Sequence, residues 1–372
     1  MVTETTLFID LEALVHNYRV LRQKLHKDTK FLAVIKAAAY GHTPGPVAKK
    51  LVAIGVDYFG VAYALEGQEL RAAQLDTPIL LLHPMPAHFE QILLNKLEPS
   101  LYSVPLMRQW IDFLEAQNIV DYPVHLKFNS GLNRLGMSTQ DLDQIITLLQ
   151  STKALKLLSV FSHLGASDDL QSEEFTQNQI AQYEHFYKAL VENMQAQNPE
   201  FQRPWQHLCN TSGVLNYPQA QYDMVRCGIG LYGYGNDPKY DKLLKPVAQL
   251  KAPILQIHHV APGQSVGYNH GFIATQPTVV ASLPLGHADG LHRIFGQQNG
   301  CVWINNQRAE IIGNVCMDMI MVDVTQIDCQ AGDTAVIFDS EHGAQDLAQT
   351  AGTISYELLT GLSKRIKREI VF

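Results

Sequence analysis

The feature that most constrains this chain is a regular alternation of strand and helix over its first 240 residues, followed by a switch to strands and turns. Asp10 is placed to cap a helix whose apolar residues Leu11, Leu14, Val15, Tyr18, Leu21 and Leu25 recur at helical spacing. Residues 31–35 form an apolar run that reads as a buried strand with Lys36 at its end. Seven more strands are expected at 58–62, 78–83, 99–103, 123–129, 155–163, 207–210 and 224–226. Helices near 46–54, 65–74, 87–94, 106–116 and 174–197 fall between them, and Ser138 with Asp141 forms a capping pair ahead of Leu142, Ile145, Ile146 and Leu149. Alternation of this length favours an α/β fold of the (β/α)₈ TIM-type barrel over an open sheet.

After Asp237-Pro238 the pattern changes. Strands are expected at 253–260, 277–284, 320–324 and 334–338, with a hairpin around Asn305-Asn306 and turns at 261–263 and 331–333. A helix over 344–368 is expected to close the chain. The reading is therefore a barrel over 1–240 and a mostly-β C-terminal domain over 241–372.

Composition narrows the function classes. A net charge of −8 argues against nucleic acid as the main partner. The basic run Lys364-Arg365-Ile366-Lys367-Arg368 reads as the solvated face of the closing helix. Five scattered cysteines with no CxxC pair fit reduced thiols rather than a disulfide framework. Met1 is followed by Val2-Thr3-Glu4, and no apolar run is long enough to span a bilayer, so a soluble cytoplasmic protein is expected. His258, His259, His270 and His292 show no metal-ligand spacing, so no metal is assigned.

In a βα barrel, reacting groups project from the carboxyl ends of the strands. Lys36, Lys127 with Asn129, His163, Asn210 and Arg226 all fall at such ends, with Arg134 in the loop beyond Asn129. A lysine amine held in an apolar setting has its pKa lowered and becomes a nucleophile, although a strand-end lysine can equally reach out to solvent. Gly228-Ile229-Gly230 and Thr211-Ser212-Gly213 follow the last two strands, where many barrels bind a phosphate. Each motif alone reads equally as a turn. A phosphate site opposite a nucleophilic amine describes a cradle for pyridoxal phosphate.

The segment Ala33-Val34-Ile35-Lys36-Ala37-Ala38-Ala39-Tyr40-Gly41-His42 resembles the cofactor signature of the alanine racemases. Lys127–Gly136, Ser162-His163-Leu164, Met224–Gly233, Val266-Gly267-Tyr268, Cys316-Met317-Asp318 and Ile354-Ser355-Tyr356-Glu357 resemble further motifs of that family, in order and nearly end to end.

The resemblance implies a pyridoxal 5'-phosphate-dependent isomerase of fold type III. In it, Lys36 holds the cofactor as a Schiff base and is one catalytic base. Tyr268, from the neighbouring subunit of a homodimer, is the other, with His163 beside it. Arg226 faces the pyridine nitrogen. Tyr40, Ser212, Gly228, Ile229 and Tyr356 hold the phosphate. Arg134 and the backbone of Met317 bind the substrate carboxylate, and Asp318 belongs to the same substrate-binding set, the alternative being that it orients the Met317 loop. Lys127 matches a lysine that is carbamylated in many family members.

Three positions depart from the family pattern. Ala38 stands where Asn or Asp is usual, Asn269 where Gly is common, and His287 where a tyrosine usually lines the substrate entrance. The expected activity is interconversion of L- and D-alanine, serving peptidoglycan or alanine catabolism. The alternatives are a racemase of serine or of broad range, and a non-catalytic pyridoxal phosphate-binding protein.

Overall fold

The computed structural model describes residues 2–372. Eight parallel strands form a nearly closed barrel: Lys30–Val34, Tyr58–Val61, Ile79–Leu81, Glu98–Leu101, Tyr122–Lys127, Leu155–Phe161, Trp205–His207 and Met224–Cys227. Lys30–Val34 pairs with both Tyr58–Val61 and Met224–Cys227. At the remaining seam the Arg226 amide donates to the Cys209 carbonyl (2.9 Å) and the Asp223 amide to the Gln206 carbonyl (3.1 Å). Because helices cover the outside and side chains fill the inside, the first three of these strands are largely apolar on both faces; Phe31, Leu32, Ala33, Phe59, Ile79, Leu80 and Leu81 are fully buried. Burying each such Leu, Ile or Phe stabilises the fold by about 1.5–3 kcal/mol.

Helices start where the sequence signals them. Asp10 caps Leu11–Arg22 by accepting from the amides of Glu12 and Ala13, at 2.8 Å each. A cap of this kind is worth about 1 kcal/mol. Ser138 and Asp141 pair as expected, the Ser138 amide donating to Asp141 Oδ2 at 2.7 Å.

The mostly-β C-terminal domain is built on a nine-stranded sheet. Its order is Gln256–Val260, Thr278–Leu283, Ile320–Asp323, Gln307–Ile312, Cys301–Ile304, Thr334–Phe338, Ala248–Pro253, Thr6–Asp10 and Lys367–Val371. A separate ribbon pairs Ser265–Val266 with Phe272–Ile273 and carries Tyr268 at its tip.

Two features of this sheet differ from the sequence reading. Thr6–Asp10 precedes the barrel in the chain but lies in the C-terminal sheet, antiparallel to Ala248–Pro253 and parallel to Lys367–Val371. Its pairing partners lie hundreds of residues away, and no local pattern marks them. The expected helix over 344–368 is instead two short helices, Ala344–Thr350 and Ser355–Thr360, followed by the strand Lys367–Val371. Gly352 takes a left-handed φ of 67° just past the first helix and ends it. The basic run is not a helix face either. Arg365 Nε donates to Asp289 Oδ1 (2.6 Å) and Arg365 Nη2 to Asp318 Oδ1 (2.7 Å). Arg368 donates to the Ile366 carbonyl (2.8 Å). Among the described residues, no helix is long and apolar enough to cross a membrane.

Candidate active site

The first barrel strand ends at Val34, and Lys36 opens the turn Lys36–Tyr40. Ala37, Ala38, Ala39 and Tyr40 have φ of 52°, 54°, 55° and 54°, a left-handed turn made of L-residues. Each such residue costs about 1–2 kcal/mol relative to a right-handed conformation, so the surroundings must hold the turn. Glu66 Oε1 accepts from the Ala37 amide (2.6 Å), while its other oxygen accepts from the amides of Ala62 (2.7 Å) and Tyr63 (3.1 Å). Gly41 continues the left-handed path, and a Cβ there would collide with the Leu359 carbonyl. The turn bearing Lys36 is thus packed directly on the helix Ser355–Thr360. The departure at Ala38 falls inside this turn, where Asn or Asp tolerates positive φ better than Ala.

A cavity of about 450 Å³ opens at the carboxyl ends of the barrel strands. Residues singled out from sequence line it together: Lys36, Tyr40, Lys127, Arg134, His163, Asn210, Thr211, Ser212, Arg226, Gly228, Ile229 and Tyr356. Burial lowers the pKa of the Lys36 amine, Arg134 lowers it further, and Glu66 opposes the shift. Burial, with help from Arg134, Arg226 and Lys36, brings Lys127 down to about 8. Burial and then Arg226 hold His163 well below the usual histidine value, so its imidazole is neutral. Four basic side chains around one cavity attract anionic groups.

Arg226 is buried and held by backbone carbonyls. Its Nη1 donates to the His207 carbonyl (3.0 Å), and its Nη2 to the carbonyls of Ser162 (2.6 Å) and Leu208 (3.0 Å). It also contacts His207 Nδ1 (3.0 Å) and His163 Nδ1 (3.3 Å). Burial lowers the guanidinium pKa to about 10, which leaves it cationic at neutral pH.

The motifs do not flag three residues that build this site. Glu66 anchors the lysine turn. His207 seats Arg226. Asn236 Nδ2 donates to Ser212 Oγ (3.1 Å) and to the Tyr356 hydroxyl (2.9 Å), joining cavity hydroxyls of the two domains. A buried polar residue inside an apolar strand was the available signal for His207; Glu66 and Asn236 lie on an ordinary helix and loop.

The residues fit pyridoxal phosphate. Arg226 Nε–H has no acceptor among the described residues, although both terminal nitrogens are committed. At the opposite wall, a Cβ on Gly228 would strike the Tyr40 hydroxyl, so that glycine opens a concavity beside two phenols and the Ser212 hydroxyl. A donor for a ring nitrogen, an amine, and a hydroxyl-lined concavity suit the cofactor's three polar ends.

Tyr268, Met317 and Asp318 do not line this cavity. Tyr268 is 70% exposed at the ribbon tip, and its carbonyl accepts from Asn314 Nδ2 (2.8 Å). Asn269, the second departure, has φ of 57°, which Asn tolerates. Met317 is exposed; its carbonyl accepts from the Ala288 amide (3.0 Å), and the Cys316 carbonyl accepts from that of His287 (2.9 Å). Asp318 and Asp289, both bound by Arg365, flank this loop pair.

A parallel βα barrel joined to a β domain, with a cationic cavity at the strand carboxyl ends, defines a two-domain barrel enzyme of the amine-bearing class. The model for the alanine racemase N-terminal domain matches residues 9–236, and that for the C-terminal domain matches 247–370. An alanine racemase from Synechocystis is 37% identical over 98% of both chains, and one from Carboxydothermus hydrogenoformans is 34% identical over 97% of both. An alanine racemase structure from Clostridium difficile superposes with a TM-score of 0.90 at 31% identity, covering 100% of this chain and 96% of that one. One from Bartonella henselae, with covalently bound pyridoxal phosphate, superposes with a TM-score of 0.89 at 28% identity over 100% of both. The chain belongs to the alanine racemase family.

Proposed function

We propose that the chain interconverts L-alanine and D-alanine with pyridoxal 5'-phosphate, as a cytoplasmic homodimer with a barrel over 1–240 and a tyrosine-bearing domain over 241–372. The observation that carries this reading is the desolvated Lys36 amine sharing one cavity with the uncommitted Arg226 Nε–H and the Tyr40–Ser212–Tyr356 hydroxyls. When bound, the cofactor withdraws electrons from the α-carbon of an amino acid and acidifies its hydrogen.

The chain's own residues then have separable tasks. Lys36 tethers the cofactor and exchanges a proton on one face of the α-carbon. A lowered amine pKa suits it, because a base works best when unprotonated near the working pH. Tyr268, brought by a second copy of the chain, serves the other face. Its exposure on a ribbon tip supports this, since it is free to enter a neighbour's cavity. His163, neutral and accepting from Arg226 Nη2 at Nδ1, carries its proton on Nε2 and would donate to the tyrosine oxygen, favouring its deprotonated form.

Arg226 stays cationic and keeps the ring nitrogen unprotonated, which limits charge delocalisation and side reactions such as transamination. Arg134 and the backbone near Met317 hold the substrate carboxylate, with Asp318 steadying that loop through Arg365. Lys127 has a substantial neutral fraction near pH 8, the form that reacts with carbon dioxide; its carbamate would give Arg134 an anionic partner. The product would supply peptidoglycan, or the reaction would serve alanine breakdown.

The test is direct. Purified protein is given L-alanine, with and without added cofactor, and D-alanine is measured. Cofactor-dependent D-alanine is expected. None from fully loaded protein overturns the assignment, and faster turnover of serine would move it to another small amino acid.

A further inference from the structure

Behind Arg226 a line of polar side chains crosses the barrel interior to its amino end. Arg226 Nη1 lies 3.0 Å from His207 Nδ1. His207 Nε2 lies 2.7 Å from Ser159 Oγ, and Ser159 Oγ 2.6 Å from His125 Nδ1. His125 Nε2 lies 2.9 Å from Glu98 Oε2. His207, Ser159 and His125 are fully buried, and Glu98 is 9% exposed at the start of its strand. Among the described residues, no carboxylate touches Arg226 directly, so the nearest anion along this path is Glu98.

The proton positions follow from chemistry. A guanidinium only donates, so His207 Nδ1 accepts and its proton sits on Nε2. That N–H donates to Ser159 Oγ. Ser159 has no other acceptor among the described residues, so its hydroxyl donates to His125 Nδ1. His125 then carries its proton on Nε2 and donates to the Glu98 carboxylate, which only accepts. A donor-only end and an acceptor-only end leave one arrangement for every proton between them. Hydrogen bonds polarised in one direction strengthen one another in a low-dielectric interior.

We propose that Glu98, His125 and Ser159 are positioning residues for Arg226: they fix the tautomer of His207 and the pose of the guanidinium that faces the cofactor ring, from the far end of the barrel. The kinetic part rests on the racemase reading above; the tautomers do not.

The experiment uses the cofactor-loaded enzyme and reads histidine imidazole nitrogens by NMR together with kcat and KM. In the parent, His207 and His125 are expected as Nε2–H tautomers; an Nδ1–H tautomer at His207 overturns the proposal. Glu98→Gln keeps shape but removes the anion and can turn an N–H toward His125, leaving the chain pinned at the Arg226 end alone; Ser159→Ala cuts it at the centre. Both should shift the His207 nitrogen signals and lower kcat about 10- to 100-fold with KM near the parent value. Unchanged signals in both variants, whatever kcat does, overturn the proposal, as do shifted signals with parental kcat. A parent that racemises nothing would instead sink the functional reading, while its nitrogen signals would still judge the chain.

Discussion

The barrel cavity and the ribbon tip are opposites. Lys36 sits on a left-handed turn clamped by Glu66 and by the helix Ser355–Thr360, in a cavity whose burial lowers its pKa. Tyr268 stands 70% exposed on a two-stranded ribbon. The first environment is built within one chain. Tyr268 has no such enclosure there, so on the proposed reading its tuning would come from a second copy. The difference teaches that burial within one chain marks the cavity, whereas the ribbon tip gains a role only through the proposed pairing of copies.

Breaking the cavity side should have the largest effect. Lys36→Ala is expected to lose the visible absorbance of the bound cofactor and to lower racemisation by about 10³-fold or more, measured as D-alanine formed. An unchanged spectrum would remove Lys36 from its role. Tyr268→Phe should lower kcat about 10²-fold while the cofactor spectrum stays and the melting temperature barely moves, because exposed substitutions stay within roughly ±0.5 kcal/mol. Mixing the two inactive proteins should restore activity through mixed dimers. Proven subunit exchange without recovery would show that each chain completes its own site.

Lys127 sharpens the comparison through pH. Its folded pKa is about 8 against an ordinary lysine value of 10.5, so the unfolded chain binds more protons between those values. The destabilisation from burying its charge is full below pH 8 and is relieved as pH rises through that window. In buffer free of carbon dioxide, the parent should therefore gain on Lys127→Met in urea melts from about pH 8 upward; a flat difference would mean that the amine is not buried in solution. Added bicarbonate should raise the parent alone at pH 7. The smallest effect is expected at Ala38: Ala38→Asn should stabilise the left-handed turn by up to about 1 kcal/mol in the same melts.

The barrel was legible because its signal is local and periodic: apolar runs such as 31–35 alternate with helical spacing such as that of Leu11, Leu14 and Leu21. Cavity residues were legible where they end strands or sit in glycine loops. Glu66 was not, since its role is to accept from the Ala37 amide, and nothing in a helix sequence marks that partner. His207 and Asn236 escaped for the same reason: each acts across strands or between domains. The left-handed turn was invisible because Ala37-Ala38-Ala39 favours a right-handed helix in isolation; tertiary contacts override it. The closing helix was misread because the basic run was taken as solvent-facing, whereas Arg365 and Arg368 are spent on Asp289, Asp318 and backbone carbonyls.

The side-by-side placement of Thr6–Asp10 and Lys367–Val371 carries a consequence for biosynthesis. Thr6–Asp10 cannot acquire this second neighbour until Lys367–Val371 has emerged from the ribosome. The barrel can close earlier, once Met224–Cys227 has emerged to pair with Lys30–Val34. A chain arrested shortly before Lys367 would hold a formed barrel beside a sheet whose margin is Thr6–Asp10 instead of Lys367–Val371, and that strand would be left open to pairing with other nascent chains.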